Sequence, residues 1–354
     1  MLMDSGVRAE NSPGGPPNHH QAITIVHTPT KRETNEASDM AAVLAELRRP
    51  PAPPRMPPVS MRIRVKTSPS LRRLLPSQAV LKMARRRGEA KWEQSTEDRE
   101  KALAAMETIV AGTRRAHELT ELARAHLIEE VVDHALFWQP WRALSLDTQS
   151  KTRLQEALGQ DRGLLLSLCH TGQYYRATAS GVVPFGRVPY SVVGRSFYER
   201  PTHDYAGRHL ALHLKRIRTW LVRADRSLPI LQTLLEQGEI VELYFDRPGG
   251  HETRFLGKTA TLADGTARLA VQTDALVLPI RARRVGHGGC LDVGELLDPQ
   301  DFAGVDELHD RLAALHEAWI LEYPESMRDP RSFGWGPWAT AKSWSRPKSA
   351  GRAA

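Results

Sequence analysis

Residues 164–175 have the sequence Leu-Leu-Leu-Ser-Leu-Cys-His-Thr-Gly-Gln-Tyr-Tyr, an apolar run that ends in a histidine and a turn. The run 163–169 has the length of a buried strand, and 173–182 has a pattern typical of a helix. His170 therefore falls at a junction between a strand and a helix. In open α/β sheets, ligands bind at the carboxyl ends of strands. A histidine there is well placed to take a proton from a substrate at neutral pH.

Strands and helices continue to alternate after this junction. The sequence predicts strands at 190–193, 219–224, 239–245 and 275–280, and helices at 201–217, 229–238 and after the turn at 264–265. Strands that alternate with helices form βαβ units. The predicted fold class is therefore α/β with a mostly parallel sheet.

The sequence before the sheet divides into three predicted segments. Residues 1–60 are rich in proline and glycine without sustained periodicity, which predicts a disordered tail. Residues 61–92 form a basic segment. A capping box at 95–98 and apolar residues at helical spacing then predict a helical start, with a second helix near 119–135. The main folded domain is expected over 93–345, and 346–354 is expected to be a disordered tail.

The basic segment carries nearly all of the positive charge of the chain. It holds ten Lys or Arg residues against one acid, a net charge of +9, while the whole chain has a net charge of +8. Such a segment is either a solvated linker or a contact for lipid headgroups, an acidic carrier protein or nucleic acid. The apolar residues among its charges favour an anionic membrane surface. Since the sequence has no motif for base recognition, nucleic acid is not an expected partner.

The composition limits the compartment and the kind of site. The chain has two cysteines, Cys169 and Cys290, which predict neither a disulfide framework nor a metal cluster, so a reducing compartment is expected. The sequence has no uninterrupted apolar run of about 18 residues, so no membrane-spanning helix is expected. Its N-terminal part also lacks the apolar region of a secretory signal.

Three motifs occur together in this chain. One is the strand that ends in His-Thr-Gly-Gln-Tyr-Tyr at 170–175. Another is the stretch 239–247, a strand that ends in an aspartate, Asp246, and is followed by a loop with Arg247. The third is the pattern at 255–270, Phe-Leu-Gly-Lys-Thr-Ala-Thr-Leu-Ala-Asp-Gly-Thr-Ala-Arg-Leu-Ala, which is followed by an apolar strand. Together these motifs resemble the bacterial lipid A biosynthesis acyltransferase family, which includes phosphatidylinositol mannoside acyltransferases.

This resemblance implies a glycerolipid-acyltransferase-like αβα sandwich. It also implies transfer of a fatty acyl group from acyl-CoA or acyl-carrier protein to a hydroxyl of a lipid or glycolipid. No metal and no other cofactor are expected, because the acyl donor is a cosubstrate. The expected location is the cytoplasmic face of the plasma (inner) membrane, as a peripheral protein.

The resemblance implies that His170 is the general base, which a nearby carboxylate would orient. This sequence has Tyr175 at the position of that carboxylate, and a tyrosine is not an anion at neutral pH. Three alternatives follow: Glu242 or Asp246 on the neighbouring strand end replaces it, His170 works unassisted, or catalysis is lost. The last alternative describes a homologue that only binds lipid or acyl carrier.

The remaining candidate residues are predicted to bind substrate. Gly172 allows close approach to the start of the helix after His170, where a phosphate or oxyanion can bind. Arg195 follows a predicted strand and Arg247 lies beside Asp246, and either guanidinium can bind a phosphate through two hydrogen bonds.

Overall fold

The computed structural model describes residues 40–48, 61, 68, 74–137, 144–193, 219–224, 227–286, 288–328 and 330. The chain divides into two compact units, Met1–Val43 and Leu44–Ala354. In the first unit, residues 40–43 are described and are helical. Most of the predicted tail at 1–60, the predicted helix at 201–217 and the tail at 346–354 lie outside the described residues.

The second unit consists of helices followed by alternating strands and helices. The longer helices are α1 Ser77–Gln94, α2 Thr96–Val110, α3 Leu119–Phe137, α4 Thr148–Leu158, α5 Tyr174–Gly181, α6 Ser227–Glu236, α7 Gly265–Thr273 and α8 Val305–Glu322. The strands are β1 Leu164–Leu168, β2 Tyr190–Val193, β3 Trp220–Arg223, β4 Ile240–Tyr244, β5 Pro248–Phe255, β6 Lys258–Leu262, β7 Leu276–Val285 and β8 Gly288–Val293. Within the described ranges, no helix is long and apolar enough to cross a membrane.

A six-stranded sheet with the order β3-β2-β4-β1-β7-β8 forms the centre of the unit. The neighbouring strands from β3 to β7 run parallel, and β8 pairs with β7 in the antiparallel direction. The structure thus confirms the predicted α/β class with a mostly parallel sheet. The sequence did not predict α4, α8, β8 or the separate antiparallel hairpin of β5 and β6.

Helices cover the sheet on both faces. Leu164, Leu166 and Leu168 of β1 pack in one apolar cluster with residues of β4 and β7 and with α4 and α5. Ser167 points to the opposite face, where its hydroxyl lies 2.9 Å from Nε2 of His316 in α8. Because side chains alternate along a strand, β1 and β4 contact different helices through their even-numbered and odd-numbered residues.

The N-terminal helices pack beside the sheet region. The α1 helix begins after Pro76 and continues through the predicted boundary between 92 and 93. Its buried residues recur at helical spacing and face α3; they are Leu81, Ala84, Gly88 and Trp92. Ser95 caps α2, since its hydroxyl accepts a hydrogen bond from the Asp98 N–H at 3.2 Å. The structure therefore confirms the predicted helix start at Ser95, while the Ser95 N–H donates to the Lys91 carbonyl and not to the Asp98 side chain.

Gly163, directly before β1, packs tightly against backbone. A Cβ atom at this position would lie 2.3 Å from the Leu235 carbonyl oxygen, so we expect Gly163→Ala to lower the free energy of unfolding by about 1–3 kcal/mol. Urea unfolding followed by tryptophan fluorescence measures this change. The control is Gly265→Ala, where a Cβ meets open space and the expected change is within about 0.5 kcal/mol. Equal stabilities of the two variants would contradict this account.

Candidate active site

The ends of β1 and β4 place two predicted site residues opposite each other. These parallel strands pair in register up to Leu168 and Tyr244, and the Phe245 N–H donates to the Leu168 carbonyl at 2.7 Å. His170 and Asp246 each follow the end of their strand by two residues. The register therefore brings them together at the carboxyl edge of the sheet, where α/β proteins bind ligands.

Asp246 holds His170 with both carboxylate oxygens. Its Oδ2 accepts a hydrogen bond from the His170 backbone N–H at 2.6 Å, and its Oδ1 lies 2.7 Å from the ring Nδ1. Asp246 is fully buried and His170 is 6% exposed. Because a carboxylate only accepts hydrogen bonds, Nδ1 carries the proton. In the neutral ring, the lone pair is then on Nε2.

Arg247 lies on the other side of the ring. Its Nη2 is 3.0 Å from Nε2 of His170, and its side chain is exposed at the surface. A guanidinium is always a donor, so Nε2 accepts this hydrogen bond, which agrees with the tautomer that Asp246 sets. The nitrogen that would act as a base is thus covered by an exposed cation.

Two tyrosines enclose the imidazole. Tyr244 stacks on it with ring centroids 4.1 Å apart, and Tyr174 meets it edge-on at 4.7 Å. The Tyr244 hydroxyl donates to Glu242 Oε1 at 2.6 Å. Burial raises the pKa of Glu242, and burial together with the neighbouring Glu242 raises the pKa of Tyr244 well above its usual value. Glu242 therefore orients Tyr244, while Asp246 is the acid that contacts the ring.

Tyr175 has a different environment from the one the resemblance implies. Its ring lies edge-on to Tyr174, with centroids 5.6 Å apart, and the Arg176 guanidinium is 5.5 Å from its centroid. Its hydroxyl is buried, and burial raises its pKa to about 12. Tyr175 is therefore neutral at physiological pH.

Gly172 is held by the protein itself. Its φ is +52°, and a Cβ atom would lie 2.7 Å from the Ala282 carbonyl oxygen, so the position requires glycine. Its N–H donates to the Ser326 carbonyl at 2.7 Å, and the Arg328 N–H donates to the His170 carbonyl at 2.7 Å. The Gly172 amide thus contacts the segment 326–328, and the predicted role of Gly172 in binding a phosphate or oxyanion stays a prediction.

The structure thus brings His170, Asp246 and Arg247 into contact. Glu242 contacts Tyr244, which in turn stacks on His170. Arg195 lies outside the described residues. Cys169 is buried, and burial together with the nearby Asp246 raises the pKa of its thiol well above the usual value. The sequence did not indicate Tyr244 and Tyr174 as site residues. Tyr244 could have been found, because alternation places it on the same strand face as Glu242 and Asp246.

This arrangement can perform general base catalysis. A buried carboxylate that fixes one ring nitrogen leaves the other to accept a proton, and it stabilises the imidazolium that results. The neighbouring guanidinium is suited to an anionic group on a substrate, because it can bind phosphate or carboxylate through two hydrogen bonds.

Comparison with solved structures identifies a distant likeness. No protein-family model matches the sequence, and no curated protein matches it either. The solved structure of the 1-acyl-sn-glycerophosphate (LPA) acyltransferase PlsC from Thermotoga maritima is similar to 59% of this chain and 82% of that chain. The sequence identity is 15% and the TM-score is 0.35.

The buried Glu242 carboxylate predicts a pH-dependent stability. Because burial raises its pKa, the folded protein holds this proton more tightly than the unfolded chain, and the ionised group destabilises the fold at higher pH. Glu242→Gln keeps an oxygen that accepts from Tyr244. We expect the variant to gain free energy of unfolding over the wild type at pH 8, and to gain little at about pH 4, near the unfolded value.

Urea unfolding at several pH values between these limits measures that gain. Glu107→Gln is the control, since Glu107 is an exposed residue of α2 and its replacement removes the same charge. A gain from Glu242→Gln that is the same at every pH would contradict the assignment of a buried, destabilising carboxylate.

Proposed function

We propose that this protein is an acyltransferase, which moves a fatty acyl group from acyl-CoA or acyl-carrier protein to a hydroxyl of a lipid or glycolipid. The observation that carries the proposal is the contact of Asp246 with both the backbone and the ring of His170. It supplies the acid that is missing at position 175. The reaction needs no cofactor, because the acyl donor is a cosubstrate.

In the proposed step, Nε2 of His170 takes the proton of the acceptor hydroxyl as its oxygen attacks the thioester carbonyl. A carbon–oxygen bond forms and the carbon–sulfur bond breaks. The imidazolium then returns its proton to the leaving thiolate, which departs as the free thiol. Asp246 stabilises the imidazolium between these two transfers, as a triad carboxylate does.

Arg247 is proposed to bind an anionic group of the substrate. In the free protein its guanidinium occupies Nε2 of His170. A phosphate offers the guanidinium two stronger, charge-assisted hydrogen bonds. Binding of a phosphate would thus turn Arg247 away from Nε2 and make the base available when a substrate is present. Arg195, outside the described residues, stays a proposed second phosphate contact.

The contact between Arg247 and Nε2 also supports the rival proposal, a homologue that binds lipid or acyl carrier without turnover. In that case the hydrogen bond is permanent and His170 is not a base. Both proposals use the same surface and differ only in whether a thioester is consumed.

Asp246→Asn tests the catalytic proposal. An asparagine can present its amide nitrogen to Nδ1 and so favour the wrong tautomer, so we expect the rate of acyl transfer to fall by about 10³–10⁴-fold. Release of free thiol from palmitoyl-CoA measures this rate, with lysophosphatidic acid or a membrane lipid extract as acceptor. His170→Ala should lower the rate to a similar level. Glu242→Gln is the matched control and should lose far less, because Glu242 contacts the ring only through Tyr244.

Two results would contradict the assignment. A larger loss from Glu242→Gln than from Asp246→Asn would make Glu242 the supporting acid. Saturable lipid binding without thiol release, by the wild type and by Arg247→Ala alike, would favour the binding homologue.

We also propose that α1 binds an anionic membrane surface, which would make the protein peripheral, at the cytoplasmic face of the plasma (inner) membrane. The α1 helix exposes four cations, Lys82, Arg85, Arg86 and Arg87. Met83 on the same helix is 68% exposed, and Leu74 before it is 77% exposed. Cations beside exposed apolar side chains are typical of segments that bind the interface of anionic membranes.

Replacing Arg85, Arg86 and Arg87 by serine should weaken binding to vesicles of phosphatidylserine and phosphatidylcholine by about 100-fold, since each cation contributes about 1 kcal/mol. Co-sedimentation of the protein with vesicles measures this change. The matched control replaces three exposed cations elsewhere with serine, namely Lys151, Arg254 and Arg311. Equal losses of vesicle binding from both triple variants would show that binding depends on the net charge of the protein and not on the cations of α1.

A further inference from the structure

A second cluster of titratable side chains lies on the face of the sheet away from the active-site histidine. It consists of His251 on β5 and of His309 and Asp310 on α8. One nitrogen of each histidine and one oxygen of the aspartate all lie within 4.8 Å of one another. The two imidazole centroids are 4.2 Å apart.

His309 is the unusual member of this cluster. It is completely buried. Within the described part of the chain, neither of its ring nitrogens has a hydrogen-bond partner of ordinary geometry. The Ala263 backbone lies near the ring. A buried polar atom without a partner costs free energy, so such atoms usually mark a missing water, ion or ligand.

The other members are oriented by neighbours. The Thr253 hydroxyl donates to Asp310 Oδ1 at 2.6 Å, and Nδ1 of His251 is 3.6 Å from Asp306 Oδ1. Asp306, His309 and Asp310 have the spacing i, i+3 and i+4, which places them on one face of α8. A hydroxyl that fixes a carboxylate is the kind of outer contact that supports metal ligands.

We propose that His251, His309 and Asp310 bind a zinc ion, with Asp306 or a water molecule as the fourth ligand. Two imidazoles and a carboxylate are a ligand set that zinc prefers, and tetrahedral zinc places its ligand atoms about 3.3 Å apart. Small rotations of side chains achieve this from the observed spacing. The composition had predicted no metal site, because two cysteines are too few for a thiolate cluster. This site uses histidine and aspartate instead.

The ion would fasten the β5–β6 hairpin to α8. The His309 ring packs on Phe245 with centroids 5.0 Å apart, and Phe245 directly precedes Asp246. The ion would therefore support the strand end that carries the proposed acid. The zinc proposal does not rest on the proposed acyl transfer.

Equilibrium dialysis of the full chain against zinc chloride, followed by metal analysis, tests the proposal. We expect one zinc ion per chain, and we expect His251→Gln and Asp310→Asn each to weaken binding by at least about tenfold. Both positions are more exposed than His309, so these variants are better suited than His309→Gln to preserve the fold. Circular dichroism of the variants verifies that they remain folded.

Two controls remove histidines outside the cluster. The His117→Gln variant loses a side chain that is 78% exposed, and a double variant replaces His19 and His20 by glutamine. Both should keep the zinc affinity of the wild type. The proposal is overturned if the wild type binds no zinc, or if the double variant loses zinc binding while His251→Gln and Asp310→Asn retain it.

Discussion

The hydrogen bonds between the Asp246 carboxylate and His170 are the interaction on which the site depends. Two parallel strands end in register, and the residues two positions beyond each end meet. One carboxylate oxygen accepts from the backbone of His170 and the other contacts its ring. The carboxylate therefore fixes the position of the chain and the tautomer of the imidazole together. The turn that carries the proposed base is in this way held by the sheet.

The proposed acid, Asp246, comes from a different element than the resemblance implies. A carboxylate at position 175 would belong to α5, and its distance from His170 would depend on how the first turn of that helix forms. Asp246 comes from β4, whose position relative to β1 is set by a ladder of hydrogen bonds. Tyr175 can be buried as a neutral residue because the acid comes from another element. The site thus needs no anion in the first turn of the helix after His170.

The sequence predicted the elements of the site better than their contacts. Apolar runs identified β1 and β4 within one residue at each end, because buried parallel strands are mostly apolar along their length. They left Glu242 and Asp246 as equal alternatives, since the register of two parallel strands cannot be deduced from either strand alone. The contact of Ser326 and Arg328 with the turn at 170–172 joins residues more than 150 positions apart, and no local pattern indicates it.

Because side chains alternate along β4, its two faces contact different parts of the protein. Glu242, Tyr244 and Asp246 build the surroundings of His170, while Phe245 between them packs on the opposite side against His309 and His316 of α8. The same helix also contacts β1, because His316 bonds to the Ser167 hydroxyl. One helix, α8, therefore contacts both strands that lead to the proposed base and acid. A displacement of α8 would move the two strand ends together. It would therefore change the distance between His170 and Asp246 less than the position of either residue in the fold.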